Sequence, residues 1–162
     1  MDVRAGAHSD YGSLTLLFQR PGQPGLEILS PAEKTWAPVP VLSDDNEESF
    51  PLILVNVGDL LSYWTDGKLK STVHKVSFQL EQKRSPTSTR YSIAYFCHPT
   101  NTTELVPVPS GVVAAYRKQH QSESSDVVGF GGGAGSLLPG KRALTAEEHL
   151  KSRLDATYNP KK

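Results

Sequence analysis

The chain has 162 residues, with 17 lysines and arginines balanced by 17 aspartates and glutamates. This length fits one domain with a substantial core, and the zero net charge gives no electrostatic reason to expect a nucleic acid or an anionic membrane as partner. The single cysteine, Cys97, excludes an intrachain disulfide framework and favours a reducing compartment, so we expect a cytoplasmic protein.

Short strand-like segments separated by turn residues follow one another through residues 14–97. The predicted strands are Leu14–Phe18, Leu26–Leu29, Trp36–Val41, Leu52–Val57, Val73–Phe78 and Tyr91–Cys97. The prolines of Trp36–Val41 predict an edge strand, and the continuous apolar run Leu52–Val57 is typical of a strand covered on both faces. This succession predicts a β-sandwich or a β-barrel.

The character of the chain changes after Pro99. Val112–Gln121 predicts a short helix, and residues 122–140 have the serine- and glycine-rich composition of a flexible linker. Thr145 and Glu148 then have the spacing of a capping box. They predict a C-terminal helix over the range Ala146–Tyr158. Apolar residues recur every fourth position along this helix, and we expect that face to dock on an apolar surface. They are Leu150, Leu154 and Tyr158.

Two histidines and one aspartate have the residue types of a facial triad, which holds non-heme Fe(II) and leaves the opposite face open. They are His8, Asp10 and His74. His8 and Asp10 alone are a weak signal, since such a triplet most often lies in a polar loop, and His74 alone is more often a half-buried strand residue. Placed before one predicted strand and on another, the three together predict a catalytic metal site.

Arg90 and Ser92 lie two residues apart in a predicted strand, so their side chains point the same way. A guanidinium fork beside a hydroxyl suits a carboxylate. Apolar residues on both faces of this strand predict that Arg90 points into a partly enclosed space, where it needs an anionic partner. An ordinary solvated arginine is the alternative. Combined with an iron site, the pair predicts a 2-oxoglutarate-dependent oxygenase.

Residues 8–12, followed by 14–17, resemble the HxD segment of the iron and 2-oxoglutarate-dependent dioxygenase superfamily, and more narrowly the isopenicillin N synthase-like family. Arg90-Tyr91-Ser92 matches that family's R-x-S cosubstrate motif. Residues 56–61, 64–67, 70–72 and 74–76 are similar to that family's stretch up to its second iron histidine. The resemblance, which covers residues 7–99, implies a mainly β protein with a double-stranded β-helix (jelly-roll) core and iron at its mouth.

The resemblance also implies a reaction. 2-Oxoglutarate would chelate Fe(II) while Arg90 and Ser92 hold its distal carboxylate, and O2 would oxidise a small organic molecule as 2-oxoglutarate is decarboxylated to succinate. One alternative is an iron oxidase of the same fold that does not consume 2-oxoglutarate. A second is a catalytically inactive truncated fragment. A third is a cupin-like metal protein, although that class generally uses more histidines and would give Arg90 and Ser92 no role.

In this family the HxD motif normally follows a long N-terminal region, whereas His8 lies close to Met1. We therefore expect a jelly roll that lacks its N-terminal strand and helices and has little or no activity alone. The expected organisation is an incomplete dioxygenase core over 1–99, an extension and linker over 100–144, and a C-terminal helix and tail over 145–162.

Overall fold

The computed structural model describes residues 2–30, 32–41, 52–78, 89–106, 108–120 and 142–158. The strands in these ranges are β1 (Asp2–His8), β2 (Leu14–Gln19), β3 (Leu26–Leu29), β4 (Trp36–Pro38), β5 (Ile53–Val57), β6 (His74–Phe78) and β7 (Ser92–Cys97). The helices are α1 (Asp59–Trp64), α2 (Gly111–Gln119) and α3 (Ala146–Tyr158). The predicted linker over 122–140 lies outside the described residues.

One antiparallel sheet has the strand order β1-β6-β3-β4. Among the described residues β4 pairs only with β3, which confirms the edge position predicted from its prolines. The central strand β6 pairs with both β1 and β3, so that His74 lies opposite His8 on one side and Ile28 on the other. The pairing of β1 with β6 contains two irregularities before it reaches His8.

The strand β1 has no counterpart among the predicted strands. Its residues, DVRAGAH, are mostly small or charged and contain a single β-branched side chain, so they carry little intrinsic preference for a strand. Hydrogen bonding along β6 supplies the order that the local sequence does not. Tertiary pairing thus creates the strand that ends at His8.

A second sheet has the strand order β5-β2-β7. The prediction that residues 52–57 are covered on both faces is wrong for the described structure, because Ile53 and Val55 are 47% and 57% exposed. Ile93 of β7 is exposed as well. An apolar run indicates that the side chains of a strand favour burial. It does not identify a segment of the chain that would cover those side chains.

A buried apolar cluster lies around α1 and the start of α3. It consists of Leu60, Tyr63, Leu105 and Ala146. Leu60 and Leu105 are fully buried, and burying such a side chain is worth about 1.5–3 kcal/mol. Trp64 packs at the edge of the cluster and donates from its indole nitrogen to the Val106 carbonyl at 2.6 Å. The short α1 was not predicted, since six residues are too few for a helical pattern to stand out.

The bounds of α3 agree with the capping-box prediction. The Glu148 amide donates to the Thr145 hydroxyl at 3.3 Å, and the Thr145 amide donates to the Glu148 carboxylate at 2.9 Å. Arg142 also pairs with Glu148. The Arg142 guanidinium, helped by the Thr145 amide, lowers the pKa of Glu148 to about 2. The predicted start of this helix is therefore confirmed by its local hydrogen bonds.

The predicted docking face of α3 is wrong, because Leu154 and Tyr158 are 37% and 74% exposed. Ala146 and His149 are the buried residues of this helix instead. His149 is completely buried next to Tyr63. Ala146 and His149 contribute little to a hydrophobic pattern because one is small and the other polar. The spacing of the larger apolar residues therefore predicted the wrong buried face of α3.

His149 makes the fold sensitive to acid. Burial, with the charges of Arg153 and His98, lowers the pKa of His149 from 6.5 to about 4. An unfolded chain binds this proton first, so we expect stability to be fully present above about pH 6.5 and to fall as the pH decreases towards 4. Thermal unfolding across this range should show a weaker pH dependence for His149→Leu than for the parent. Equal dependence in both proteins would contradict this role.

Two compact units can be delineated in the chain. One contains the β1-β6-β3-β4 sheet. The other contains α1, α2, α3 and the buried cluster around Leu60. Among the described residues, no helix has both the length and the apolar character needed to cross a membrane.

Candidate metal and cosubstrate site

Strand pairing brings the two predicted histidines together. His8 is the last residue of β1, His74 is the first residue of β6, and the two are direct partners across the antiparallel pair. Their ring centroids are 4.4 Å apart, and the ring planes are tilted by 56°. Residues that are far apart in the sequence thus present two imidazoles at one end of the same sheet.

Hydrogen bonds define which nitrogen of each ring carries the proton. Nδ1 of His8 donates to the Gly6 carbonyl at 2.7 Å, and Nδ1 of His74 donates to the Thr72 carbonyl at 3.0 Å. Because a carbonyl oxygen only accepts, the neutral ring carries its proton on Nδ1 and its lone pair on Nε2. This arrangement, with a backbone carbonyl on the other ring nitrogen, is the usual one for metal-binding histidines.

Asp10 supplies a carboxylate to the same place. Candidate ligand atoms of His8, Asp10 and His74 all lie within 4.8 Å of one another. Asp10 is buried, and the hydroxyl of buried Thr15 donates to its Oδ2 atom at 2.6 Å, which orients the carboxylate. Two imidazole nitrogens and one carboxylate oxygen are suitable donors for Fe(II). The structure thus brings the three predicted residues together.

The loop that carries Asp10 is hydrogen-bonded to the start of α1. Three consecutive amides at this helix end donate to three loop carbonyls, which provides acceptors for donors that have no partner within the helix. The bonds run from Gly58 to Ser13 (2.9 Å), from Asp59 to Asp10 (2.7 Å) and from Leu60 to Gly12 (3.1 Å). The start of α1 therefore helps to determine where Asp10 lies.

Gly58 and Asp59 hold the start of α1 close to this loop. A Cβ atom on Gly58 would lie 2.2 Å from the Gly12 carbonyl oxygen, so glycine there allows the two segments to approach closely. Asp59 is buried and pairs with Arg153 at 2.8 Å. A buried acid signals a buried partner, although the sequence alone does not identify Arg153.

Arg90 lies just before β7 and has only neutral neighbours for its terminal nitrogens. It donates to Ser92 at 3.4 Å and to Gln19 at 3.3 Å, and both bonds are long. Burial lowers the pKa of Arg90. Within the described part of the chain, no carboxylate pairs with Arg90, and its buried Nε has no hydrogen-bond acceptor. A half-buried guanidinium of this kind has capacity for an anion.

Arg90 also lies beside the strand that carries His74. A Cβ atom on Gly25 would lie 3.8 Å from Arg90 Cδ and 2.8 Å from the Ser77 carbonyl oxygen, so Arg90 is close to this part of β6. Ser77 follows His74 by three positions in β6, which corresponds to about 10 Å along a strand. The predicted metal ligand and the predicted carboxylate clamp are therefore separated by about that distance along the sheet.

The model of the 2OG-Fe(II) oxygenase superfamily matches residues 1–99. The chain belongs to this superfamily. The match covers more than half of the chain and confirms the superfamily predicted from the HxD, histidine and R-x-S motifs. The predicted fold class, a mainly β protein with a jelly-roll core, is confirmed by the two sheets together with the solved structures that the chain resembles.

Two fungal relatives align along nearly the whole chain. The alignment with a proline hydroxylase of Petromyces alliaceus is 38% identical and covers 96% of this chain and 41% of that protein. The alignment with a clavatol oxidase of Penicillium crustosum is 30% identical and covers 98% of this chain and 36% of that protein.

Among solved structures, a full-length Neurospora crassa protein in complex with alpha-KG and thymine superimposes with a TM-score of 0.60 and 31% identity. The superposition covers 97% of this chain and 38% of that one. The chain therefore spans well under half the length of the relatives that it matches.

Proposed function

We propose that this chain carries the iron and cosubstrate site of an Fe(II)- and 2-oxoglutarate-dependent dioxygenase that hydroxylates or otherwise oxidises a small organic molecule. The observation that carries the proposal is the convergence of His8, Asp10 and His74 within 4.8 Å. Relatives named as a proline hydroxylase and a clavatol oxidase support the same reaction class.

In this proposal His8 and His74 bind the metal through Nε2 and Asp10 binds it through a carboxylate oxygen. The bonds from the two Nδ1 atoms to backbone carbonyls keep the imidazoles in the required tautomer. These three donors would hold Fe(II) and leave it accessible to the cosubstrate and O2. Bound Fe(II) supplies the redox chemistry by which O2 converts 2-oxoglutarate to succinate and CO2 and oxidises the substrate.

Arg90 would hold the distal carboxylate of 2-oxoglutarate, with Ser92 as an auxiliary donor. The separation of about 10 Å between His74 and Ser77 along β6 supports this, since a five-carbon dicarboxylate plus a guanidinium can bridge it. Burial keeps water away from the guanidinium and strengthens its bond to a carboxylate. The neutral partners Ser92 and Gln19 leave the charge of Arg90 for an incoming anion.

Calorimetric titration of the Fe(II)-loaded chain with 2-oxoglutarate under anaerobic conditions tests the clamp. A charge-assisted bidentate contact is worth about 1.5–3 kcal/mol and a neutral hydroxyl about 1 kcal/mol. We therefore expect Arg90→Ala to weaken 2-oxoglutarate binding roughly ten- to hundredfold and Ser92→Ala about fivefold. Arg20→Ala, which removes an exposed arginine, is the control and should bind normally. The reverse order of effects, or no effect from either variant, would show that the clamp lies elsewhere.

Product analysis separates the proposed activity from its alternatives. Release of succinate from 2-oxoglutarate in the presence of Fe(II) and O2 would distinguish a 2-oxoglutarate-dependent enzyme from an iron oxidase of the same fold. Substrate oxidation without succinate formation would point to the oxidase, and Fe(II) binding with neither product would point to an inactive fragment. These outcomes also bear on the expectation that the chain has little activity by itself.

The substrate belongs to the same proposal. Equal numbers of acidic and basic residues support a small organic molecule rather than a nucleic acid or a membrane surface, and the single cysteine supports a cytoplasmic location. We expect whatever oxygen consumption the chain supports to be stimulated by members of a small-molecule panel. Stimulation by DNA or RNA alone would contradict this assignment.

A further inference from the structure

The metal site receives support from the far end of the chain. α3 carries Arg153, whose guanidinium pairs with the Asp59 carboxylate at 2.8 Å. The Asp59 side chain is fully buried and that of Arg153 is 16% exposed, so water screens this pair little. Asp59 in turn donates its amide to the Asp10 carbonyl at 2.7 Å. Asp59 thus belongs to a buried ion pair and is also hydrogen-bonded to the backbone of Asp10, a candidate metal ligand.

A second connection from α3 reaches the residue after Asp10. The guanidinium of Arg153 lies over the Tyr11 ring at 5.5 Å from its centroid, within the range of a cation–π contact. The Tyr11 hydroxyl is hydrogen-bonded to the Thr157 hydroxyl at 2.6 Å. Thr157 lies one helical turn beyond Arg153, on the same side of α3. The helix thus holds the Asp10 loop at two points.

We propose that Arg153 is a positioning residue for the metal site, acting on Asp10 through Asp59 and Tyr11. This inference rests on the proposed function, because it assumes that Asp10 is a metal ligand. Arg153 contacts Asp59 and Tyr11, and its effect is to fix the loop backbone from which Asp10 projects.

The physical reason is the burial of Asp59. Removing the guanidinium leaves a carboxylate in an enclosed position without this ion pair, which is far more costly than losing an exposed pair. The start of α1 then shifts towards water, and the amide that bonds to Asp10 shifts with it. Asp10 moves relative to His8 and His74, whose positions depend on the β1–β6 pairing instead.

Titration with Ni(II) tests this directly, since Ni(II) binds nitrogen and oxygen sites more tightly than Fe(II) and does not require turnover. Loss of a residue that supports a metal ligand typically weakens binding by 10- to 100-fold, and we expect Arg153→Met to reach roughly tenfold. Arg153→Lys, which keeps the charge, should recover most of the affinity. Arg142→Met is the matched control, because Arg142 also forms an ion pair, but its partner is Glu148 of α3 and not Asp59.

A double-mutant cycle separates positioning from general loss of structure. In an Asp10→Ala background Ni(II) is left with the two histidines, so Arg153→Met should have no further effect on its affinity. Equal loss in both backgrounds, or an effect of Arg142→Met as large as that of Arg153→Met, would overturn the proposal. If Arg153→Met does not fold, Thr157→Val, which removes only the hydroxyl that bonds to Tyr11, supplies the same comparison with a milder change.

The same titration separates this inference from the proposed function. A parent chain that binds no Ni(II) would overturn both. A parent that binds Ni(II), together with an Arg153→Met variant of equal affinity and normal circular dichroism, would overturn the positioning role alone. Weaker binding by the variant, recovered by lysine and absent in the Asp10→Ala background, is the expected result.

Discussion

His74→Ala should weaken Fe(II) or Mn(II) binding at least tenfold. His74 is one of only three proposed protein ligands, and it lies directly opposite another of them, His8, across the β1–β6 pair. Alanine keeps the strand but removes the imidazole, and the remaining imidazole and carboxylate cannot form a facial set of three donors. Metal affinity is measured anaerobically by equilibrium titration of the purified variant.

His120→Ala is the matched control. His120 directly follows α2 and is not one of the three candidate metal ligands. Its ring stacks on that of Tyr116 at a centroid distance of 4.1 Å. The His120→Ala variant tests whether the loss of any histidine lowers the apparent affinity for the metal. A dissociation constant that is the same in His74→Ala and the parent would remove His74 from the metal site.

The triad could be predicted because its chemistry depends on residue type and on strand ends. Histidine and aspartate side chains with an HxD spacing before a predicted strand, and a second histidine in another strand, are visible in the sequence. The pairing of β1 with β6 that brings them together is not visible, since β1 has almost no β-branched or aromatic residue. The three residues that lie together in the structure could thus be selected from the sequence, and the strand pairing that brings them together could not.

Local signals predicted α3 well and its docking face poorly. The capping box of Thr145 and Glu148 is an interaction between residues three apart, so the sequence contains both partners. Burial of His149 depends on Tyr63 and other residues distant in the chain. The same reason explains why the ion pair between Asp59 and Arg153 was missed. Contacts over long sequence separations decide which polar residue becomes buried, and local periodicity contains no information about them.

Gly58→Ala should destabilise the protein by about 3 kcal/mol, the upper end of the usual cost of overfilling a packed site. The new Cβ atom would lie 2.2 Å from the Gly12 carbonyl oxygen and 3.0 Å from the Asp10 carbonyl oxygen. Both contacts are with backbone, so no flexible side chain can move aside. The shift must be taken up by the loop that carries Asp10, and we therefore expect weaker metal binding as well as lower stability.

The loop has little room to retreat from Gly58, because β7 lies behind it. The Ser13 amide donates to the Cys97 carbonyl at 3.0 Å, and a Cβ atom on Gly12 would lie 2.9 Å from that same carbonyl oxygen. Gly111→Ala is the control, since a Cβ atom there meets nothing within 4 Å and alanine favours a helix over glycine by about 0.5–1 kcal/mol. Urea unfolding should therefore show a large loss for Gly58→Ala and no loss for Gly111→Ala. Equal stability of the two variants would mean that the close approach of Gly58 to the Asp10 loop does not constrain the site.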